Sequence, residues 1–412
     1  MAGNKKRIVT FESYMNINSW TVVEMKNNEW EFYLNPYLKS VPMSKKLILK
    51  QRGFDDMAND NKKKPLSLKS GTVSNDILYI LKEYGSYPES KIADLIPDKK
   101  PYTIYRIILR LASEGYILRK KGAEDDYIIS LSRLGQDILD VKKYTTATTP
   151  RKLTRQGSLS VISMMFDKSI PLGDRDAVLK ETHLITKEEI IAQYPKSDKV
   201  LCTSRFGGVY YHYGDYIPVF KLGTSMYWVD NAESQVRDYL AVQIFHKPIT
   251  KAIFFIDSYE KEANRLLYQP EEDKRNFGKA LRETLELSSC YKKVFLFNTD
   301  REGIAHLRLF RSVKENEELF LDSVFEERQR VNDPADVVDG YIDDLKCSVL
   351  FSGDIIKIKR IRRMLENGML DKLNIIGFNF QESFHRTAFD PWPDRVIYNS
   401  YSIAEVKEVY RP

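Results

Sequence analysis

Four near-continuous apolar runs in the second half of the chain set the tightest limit on its fold. Ala252-Ile-Phe-Phe-Ile leads to Asp257, Val294-Phe-Leu-Phe to Asp300 and Ser348-Val-Leu-Phe to Asp354, each with a helical pattern behind it. Leu373-Asn-Ile-Ile-Gly-Phe follows the last of those helices. Strands that are apolar on both faces have to be covered on both, and strands alternating with helices pair in parallel. Residues 158–412 therefore read as an α/β domain with a mixed, partly parallel sheet. Earlier in that domain Ser158–Phe166 and Lys187–Tyr194 read as helices, and Gly208–Val219 and Ser225–Val229 as strands. Ala232–Phe245 reads as a helix with Val236, Leu240 and Ile244 on one face. Ligands of such sheets sit beyond the carboxyl ends of the strands. Asp257, Asp300 and Asp354 would gather there if their three strands are neighbours.

A second pattern precedes this domain. Ile77, Leu78, Ile80 and Leu81 mark one amphipathic helix, and Ile92, Leu95 and Ile96 a short second one. Pro101 opens a third, in which Ile104, Ile107, Ile108 and Leu111 fall at the spacing of a buried face. Gly115 ends it. Tyr116–Lys121 and Tyr127–Leu131 are β-rich runs joined by Gly122–Asp126, and Leu131–Val141 reads as a closing helix. Helix, helix, helix and hairpin is the layout of a winged helix-turn-helix, assigned here to residues 71–143. On the third helix Thr103, Arg106 and Arg110 fall together opposite the apolar face. Such a row suits the major groove, where Arg bonds guanine edges or phosphates. Lys99, Lys100 and Tyr102 lead into that helix, and Arg119, Lys120 and Lys121 sit near the hairpin tip. These nine residues are the candidate DNA contacts. The plainer reading is a solvated helix face, or a winged helix that binds another protein.

Charge bears on that choice. The 412 residues carry a net +6, which permits a nucleic-acid partner without requiring one. Residues 71–143 hold 12 Lys/Arg against 11 Asp/Glu, whereas residues 1–70 hold 13 against 7. Phosphate affinity scales with the number of basic contacts, so the surplus lies in the N-terminal arm. That arm is expected to be β-rich, with strands at Arg7–Tyr14 and Ser19–Leu34. A turn at Lys26-Asn27-Asn28 would fold the second of these into a hairpin. Its Trp20, Trp30, Phe32 and Tyr33 would stack on single-stranded bases or, more plainly, pack against a neighbour. Residues 55–71 and 144–157 read as linkers. A length of 412 residues suggests two or three domains. Three scattered cysteines, Cys202, Cys290 and Cys347, fit a reduced, cytoplasmic protein. The N-terminus lacks the apolar core of a signal peptide, and no run approaches the length of a membrane helix.

No nucleotide-binding, zinc-protease or serine-hydrolase signature is present. The five histidines are scattered and read as structural, so no cofactor or metal is assigned and no residue is designated catalytic. The strand-end aspartates could hold Mg²⁺ for phosphodiester hydrolysis, or simply cap the helices that follow them. Asp215, Asp230 and Glu233 give a second acidic set, laid out like the start of a PD-(D/E)xK nuclease site.

These last residues carry a resemblance. Asp76-Ile-Leu-Tyr-Ile-Leu, Tyr102–Tyr116 with its RLASEGYI ending, Gly214-Asp215 and Trp228-Val-Asp230-Asn-Ala-Glu233 together resemble the plasmid replication-relaxation family of mobile genetic elements. The likeness spans residues 74–315. It implies a winged helix joined to a nuclease-like scaffold. Trp228 stands where that motif's Glu belongs and no Lys follows two residues after either acid, so the scaffold is expected to be inactive. The sequence thus points to a sequence-selective protein of double-stranded DNA acting in replication, conjugative transfer or transcription. It is expected to be a homodimer, because two half-sites multiply affinity and specificity, with a replication or transfer protein as a further partner and no membrane attachment. A metal-dependent nuclease and a protein–protein adaptor are the alternatives.

Overall fold

The computed structural model describes residues 20–26, 29–34, 41–43, 72–96, 98–123, 126–141, 147, 149–170, 175–201, 205–222, 231–259, 290–312, 316–331, 333 and 337–409. The expected strand at Arg7–Tyr14, the linker at 55–71, the expected strand Ser225–Val229 and Asp230 lie outside them. The architecture mixes helices with parallel and antiparallel strands. Among the described residues no helix is long and apolar enough to cross a membrane. The chain divides into two compact units. One is drawn from Met1–Glu83, Tyr102–Leu118 and Ser130–Thr145, the other from Tyr84–Pro101, Arg119–Ile129 and Thr146–Pro412.

At the N-terminal end β1 (Trp20–Lys26), β2 (Glu29–Leu34) and β3 (Val41–Met43) form an antiparallel sheet. Trp20 lies opposite Leu34, and Trp30 opposite Met43, so the expected hairpin is present. The chain then runs α1 (Val73–Tyr84), β4 (Tyr87–Pro88), α2 (Glu89–Leu95), α3 (Pro101–Ser113), β5 (Ile117–Lys121), β6 (Tyr127–Leu131) and α4 (Arg133–Ile138). Helix α1 buries Ile77, Leu78 and Leu81, and α3 buries Ile104, Ile108 and Leu111. Gly115, at φ +81°, ends α3 in the left-handed region that favours glycine. Ser132 caps α4 by accepting from Gly135 N at 3.1 Å, and its hydroxyl donates to Gly115 O at 2.5 Å.

In the second unit β4 pairs antiparallel with β6, completing a three-stranded sheet in the order β4-β6-β5. Helix α5 (Pro150–Lys168) packs on it. The last eight residues of the expected 144–157 linker are the start of this helix, because Pro150 occupies its first turn with φ already set for a helix. Gly157 is what lets it lie close. A Cβ there would stand 3.0 Å from Ile128 Cδ1 and 3.3 Å from Pro88. Glycine weakens a helix interior by roughly 1 kcal/mol, and the contact offsets that cost. The hairpin tip is also tied down, with Ala123 N donating to Thr154 Oγ1 at 2.8 Å.

Beyond α5 come α6 (Arg175–Glu181), β7 (Thr182–Thr186), α7 (Lys187–Gln193), α8 (Asp198–Leu201), β8 (Phe206–His212), β9 (Asp215–Lys221), α9 (Asn231–Tyr239), β10 (Lys251–Ile256) and β11 (Lys293–Asn298). The strands form one sheet in the order β11-β10-β9-β8-β7. Strands β9, β10 and β11 are parallel, and β7, β8 and β9 antiparallel, so the sheet is mixed as expected. The run Gly208–Val219, expected as one strand, is two. Tyr213 (φ +46°) and Gly214 (φ +99°) turn the chain between β8 and β9. Helix α9 continues as a π-helical turn over Leu240–Ile244.

A second sheet follows. The order is α10 (Arg301–Arg311), α11 (Asn316–Asp322), β12 (Gly340–Ile342), β13 (Leu345–Val349), α12 (Ile355–Glu366), β14 (Leu373–Phe378), α13 (Glu382–Phe389), β15 (Val396–Tyr401) and α14 (Ile403–Val409). Its strands run β12-β13-β14-β15, the last three parallel. One apolar core serves both sheets, running from Phe206, Phe254 and Leu296 through Ile358 and Ile361 to Ile375. Arg311 is 1% exposed and donates to Phe166 O, to Ser169 Oγ at 3.0 Å and to Thr182 O at 2.9 Å. A buried cation is tolerable there because it meets the carbonyl end of α5, where the helix dipole is negative.

Candidate nucleic-acid interface on the third helix

The solvent face of α3 is built by its own periodicity. With Ile104, Ile108 and Leu111 committed inward, the opposite side presents Tyr102, Thr103, Tyr105, Arg106, Leu109 and Arg110, all exposed. No Asp or Glu occurs between Pro101 and Ser113. Tyr102 is 69% exposed, and the Arg106 guanidinium lies over its ring at 6.0 Å from the centroid. A cation held over an aromatic face keeps its N–H edge free to donate. Arg110 is placed differently. Its Nη2 donates to Ser74 Oγ at 2.7 Å, and its Nε stands 3.9 Å from Glu114 Oε1. Arg106 is thus the better placed of the two for an outside partner. Lys99 and Lys100 are exposed in the turn before α3.

Thr103, Arg106 and Arg110, expected from the sequence to share this face, share it with Tyr105 and Leu109. The latter two are 42% and 38% exposed. With Tyr102 they fall at i, i+3 and i+7, which is itself a helical face. The signal was present as a second apolar stripe on the wrong side of the core.

The hairpin residues are less available than their charge suggests. Arg119 Nε bonds Glu89 Oε2 at 2.5 Å, with side chains 20% and 10% exposed, and its guanidinium lies 3.3 Å from the centroid of the Tyr127 ring. That arginine is spent inside the fold. Lys120 is half-buried, and Lys121 is exposed.

The acidic candidates do not come together. Strand β13, which precedes Asp354, belongs to the second sheet, so the three aspartate-bearing strands are not neighbours. Asp354 instead reaches the opposite end of β11 from Asp300, accepting from Val294 N at 3.0 Å. Asp300 and Asp354 act as helix caps, bonding Gly303 N at 2.8 Å and Ile356 N at 3.0 Å. Asp257 is clamped by Lys221 Nζ at 2.8 Å, by Thr299 Oγ1 at 3.1 Å and by Lys91 Nζ at 3.8 Å. Burial pushes its carboxyl up, but Lys221, Lys91 and these hydrogen bonds outweigh burial and hold it below the usual carboxylate range. Asp215 opens β9, at the other end from Asp257, and pairs with Lys251 at 2.7 Å. Glu233 is buried beside Arg205 at 4.0 Å. Among the described residues no three His, Cys, Asp or Glu side chains are grouped to hold a metal ion.

A cavity of about 470 Å³ lies near the start of α12, bordered by Ser352, Asp354, Asp339 and Lys357. Its Asp339–Lys357 pair is closed at 2.7 Å. Comparison with models of protein families, with curated proteins and with solved structures finds no match for this chain.

Proposed function

We propose that the protein binds double-stranded DNA in a sequence-selective way through α3, within a winged helix-turn-helix spanning residues 71–143. The observation that carries this reading is the solvent face of α3, where Arg106 stands exposed on a helix without acidic residues. An isolated helix face of that width fits the major groove, and one arginine can bond a guanine through two hydrogen bonds. Lys99 and Lys100 precede the helix and add phosphate-neutralising charge. The resemblance to the replication-relaxation family supports a role at a control locus of a mobile element, in replication, transfer or transcription, with the protein acting as a homodimer.

The test is a binding titration of the full chain and of Arg106→Ala against duplexes enriched from a random-sequence pool, at two salt concentrations. Sequence-selective, salt-dependent binding that Arg106→Ala weakens supports the reading. Equal binding by both proteins, or none by either, overturns it. A second reading has an observation of its own. The exposed Tyr102, Tyr105 and Leu109 would also suit a protein partner, which makes the adaptor alternative the one to fall back on.

A further inference from the structure

Two stripes run side by side along the exposed face of α3. Thr103, Arg106 and Arg110 form one at i, i+3 and i+7, and Tyr102, Tyr105 and Leu109 form the other at the same spacing. Single exposed apolar residues are ordinary on a protein surface. Three in register on one helix, 69%, 42% and 38% exposed, form an apolar strip. Its occupant has to accept an apolar strip and the Arg106 cation at once, within the width of one helix, Arg110 being held by Ser74 and standing near Glu114.

A protein groove would match the apolar stripe but would need a carboxylate placed for Arg106. The major groove of DNA supplies both features together. Guanine offers O6 and N7 as acceptors, phosphates line the groove, and the C5-methyl of thymine is the apolar group on its floor. We infer that Tyr105 and Leu109, with the ring of Tyr102, are specificity-determining residues that pack on thymine methyl groups beside a guanine bonded by Arg106. The bound site is then a mixed one, with thymines adjoining a G·C pair. The stacking of Arg106 on Tyr102 at 6.0 Å joins the two stripes, since the same ring that flanks the methyl contact orients the guanidinium. This inference rests on the DNA-binding reading above.

The experiment isolates the methyl group. Duplexes enriched by the full chain from a random pool are resynthesised with deoxyuridine in place of thymidine, which removes only the C5-methyl. Affinities for the two forms are compared for the parent protein, for Leu109→Ser and for Arg106→Ala. The parent is expected to bind the thymine duplex about four-fold more tightly per contacted thymine, the equivalent of ~0.8 kcal/mol for one buried methyl-sized group. Leu109→Ser should bring that ratio towards one. Arg106→Ala should lose affinity yet keep the ratio. If the enriched duplexes bind equally with thymine and uracil, the inference falls while the DNA-binding reading stands. If no sequence is enriched, both fall together, and the apolar stripe belongs to a protein contact. Since Leu109 is exposed, its substitution leaves the core intact, and unchanged thermal unfolding of Leu109→Ser checks this directly.

Discussion

The carboxylate of Asp354 accepts a hydrogen bond from Val294 N at 3.0 Å, on the outer edge of β11, while capping its own helix α12 through Ile356 N at 3.0 Å. Strand β11 ends the five-stranded sheet, so among the described residues its outward N–H and C=O groups have no strand partner there. Tyr259 answers a further outward group, donating to Leu296 O at 2.5 Å. Two side chains thus occupy backbone groups on an edge that would otherwise invite pairing with another chain.

Replacing Asp354 by Ala removes the cap and strands a buried N–H at once. A lost cap costs about 1 kcal/mol and an unsatisfied buried donor about 1–3 kcal/mol. Chemical denaturation of Asp354→Ala should therefore show a loss of roughly 2–4 kcal/mol. Asn retains an oxygen acceptor, so Asp354→Asn should lose less than half as much. Equal losses for the two variants would mean that charge, not the two hydrogen bonds, matters at this site.

Under the proposed DNA-binding reading, the two arginines of α3 should separate in binding. Arg106→Ala is expected to lose about 1–3 kcal/mol at the preferred duplex, most of it in discrimination against other sequences. Arg110 is held by Ser74. Its alanine variant should bind DNA closer to the parent and instead lose about 0.5–1.5 kcal/mol of folding stability, the worth of an ordinary hydrogen bond. Titration and denaturation of both variants check this, and a larger binding loss for Arg110→Ala would reverse the assignment.

Two buried histidines predict a pH dependence of stability. Burial pushes His306 down from 6.5 to about 3, and likewise His385, for which Glu382 acts in the opposite sense. The folded protein keeps both rings neutral, while the unfolded chain takes up protons below 6.5. Stability is therefore complete above pH 6.5 and falls as pH drops from there towards 3. The urea midpoint should decline over that window. His306→Phe, which removes one such site, should flatten the decline even if it shifts the midpoint at neutral pH.

Asp257 acts in a lower window. Its folded carboxyl is held below the usual range, so its contribution is present above the unfolded value near 3.9 and is lost as pH falls through the folded one. At neutral pH, Asp257→Asn leaves the Lys221 ammonium, 8% exposed, without its counter-charge, at a cost of roughly 3 kcal/mol. The gap between variant and parent should narrow below about pH 4. A gap that stays constant into acid would mean the carboxylate's charge contributes nothing.

The local half of this fold was legible, and the long-range half was not. Ile104, Ile108 and Leu111 are buried where their spacing puts them, and the apolar runs at 252, 294 and 373 are strands. The cap reading of Asp300 and Asp354 needed only the neighbouring N–H groups, so sequence sufficed. Which strands lie side by side depends on contacts far apart in sequence. Hence Asp257 and Asp354, similar in sequence context, fall in different sheets. Arg119 looked like a free cation because its partner Glu89 lies 30 positions earlier. Tyr105 and Leu109 lie on the exposed face of α3, where periodicity alone assigns apolar residues to the core.

The buried Arg311 bears on how the chain is made. Its guanidinium holds the end of α5 and the start of β7 together, yet it follows Phe166 by 145 positions. At the usual pace of synthesis that separation is roughly 10–30 s on the ribosome. For that interval the carbonyls at the end of α5 await their donor, and the first half of the C-terminal unit emerges before the residue that fastens it.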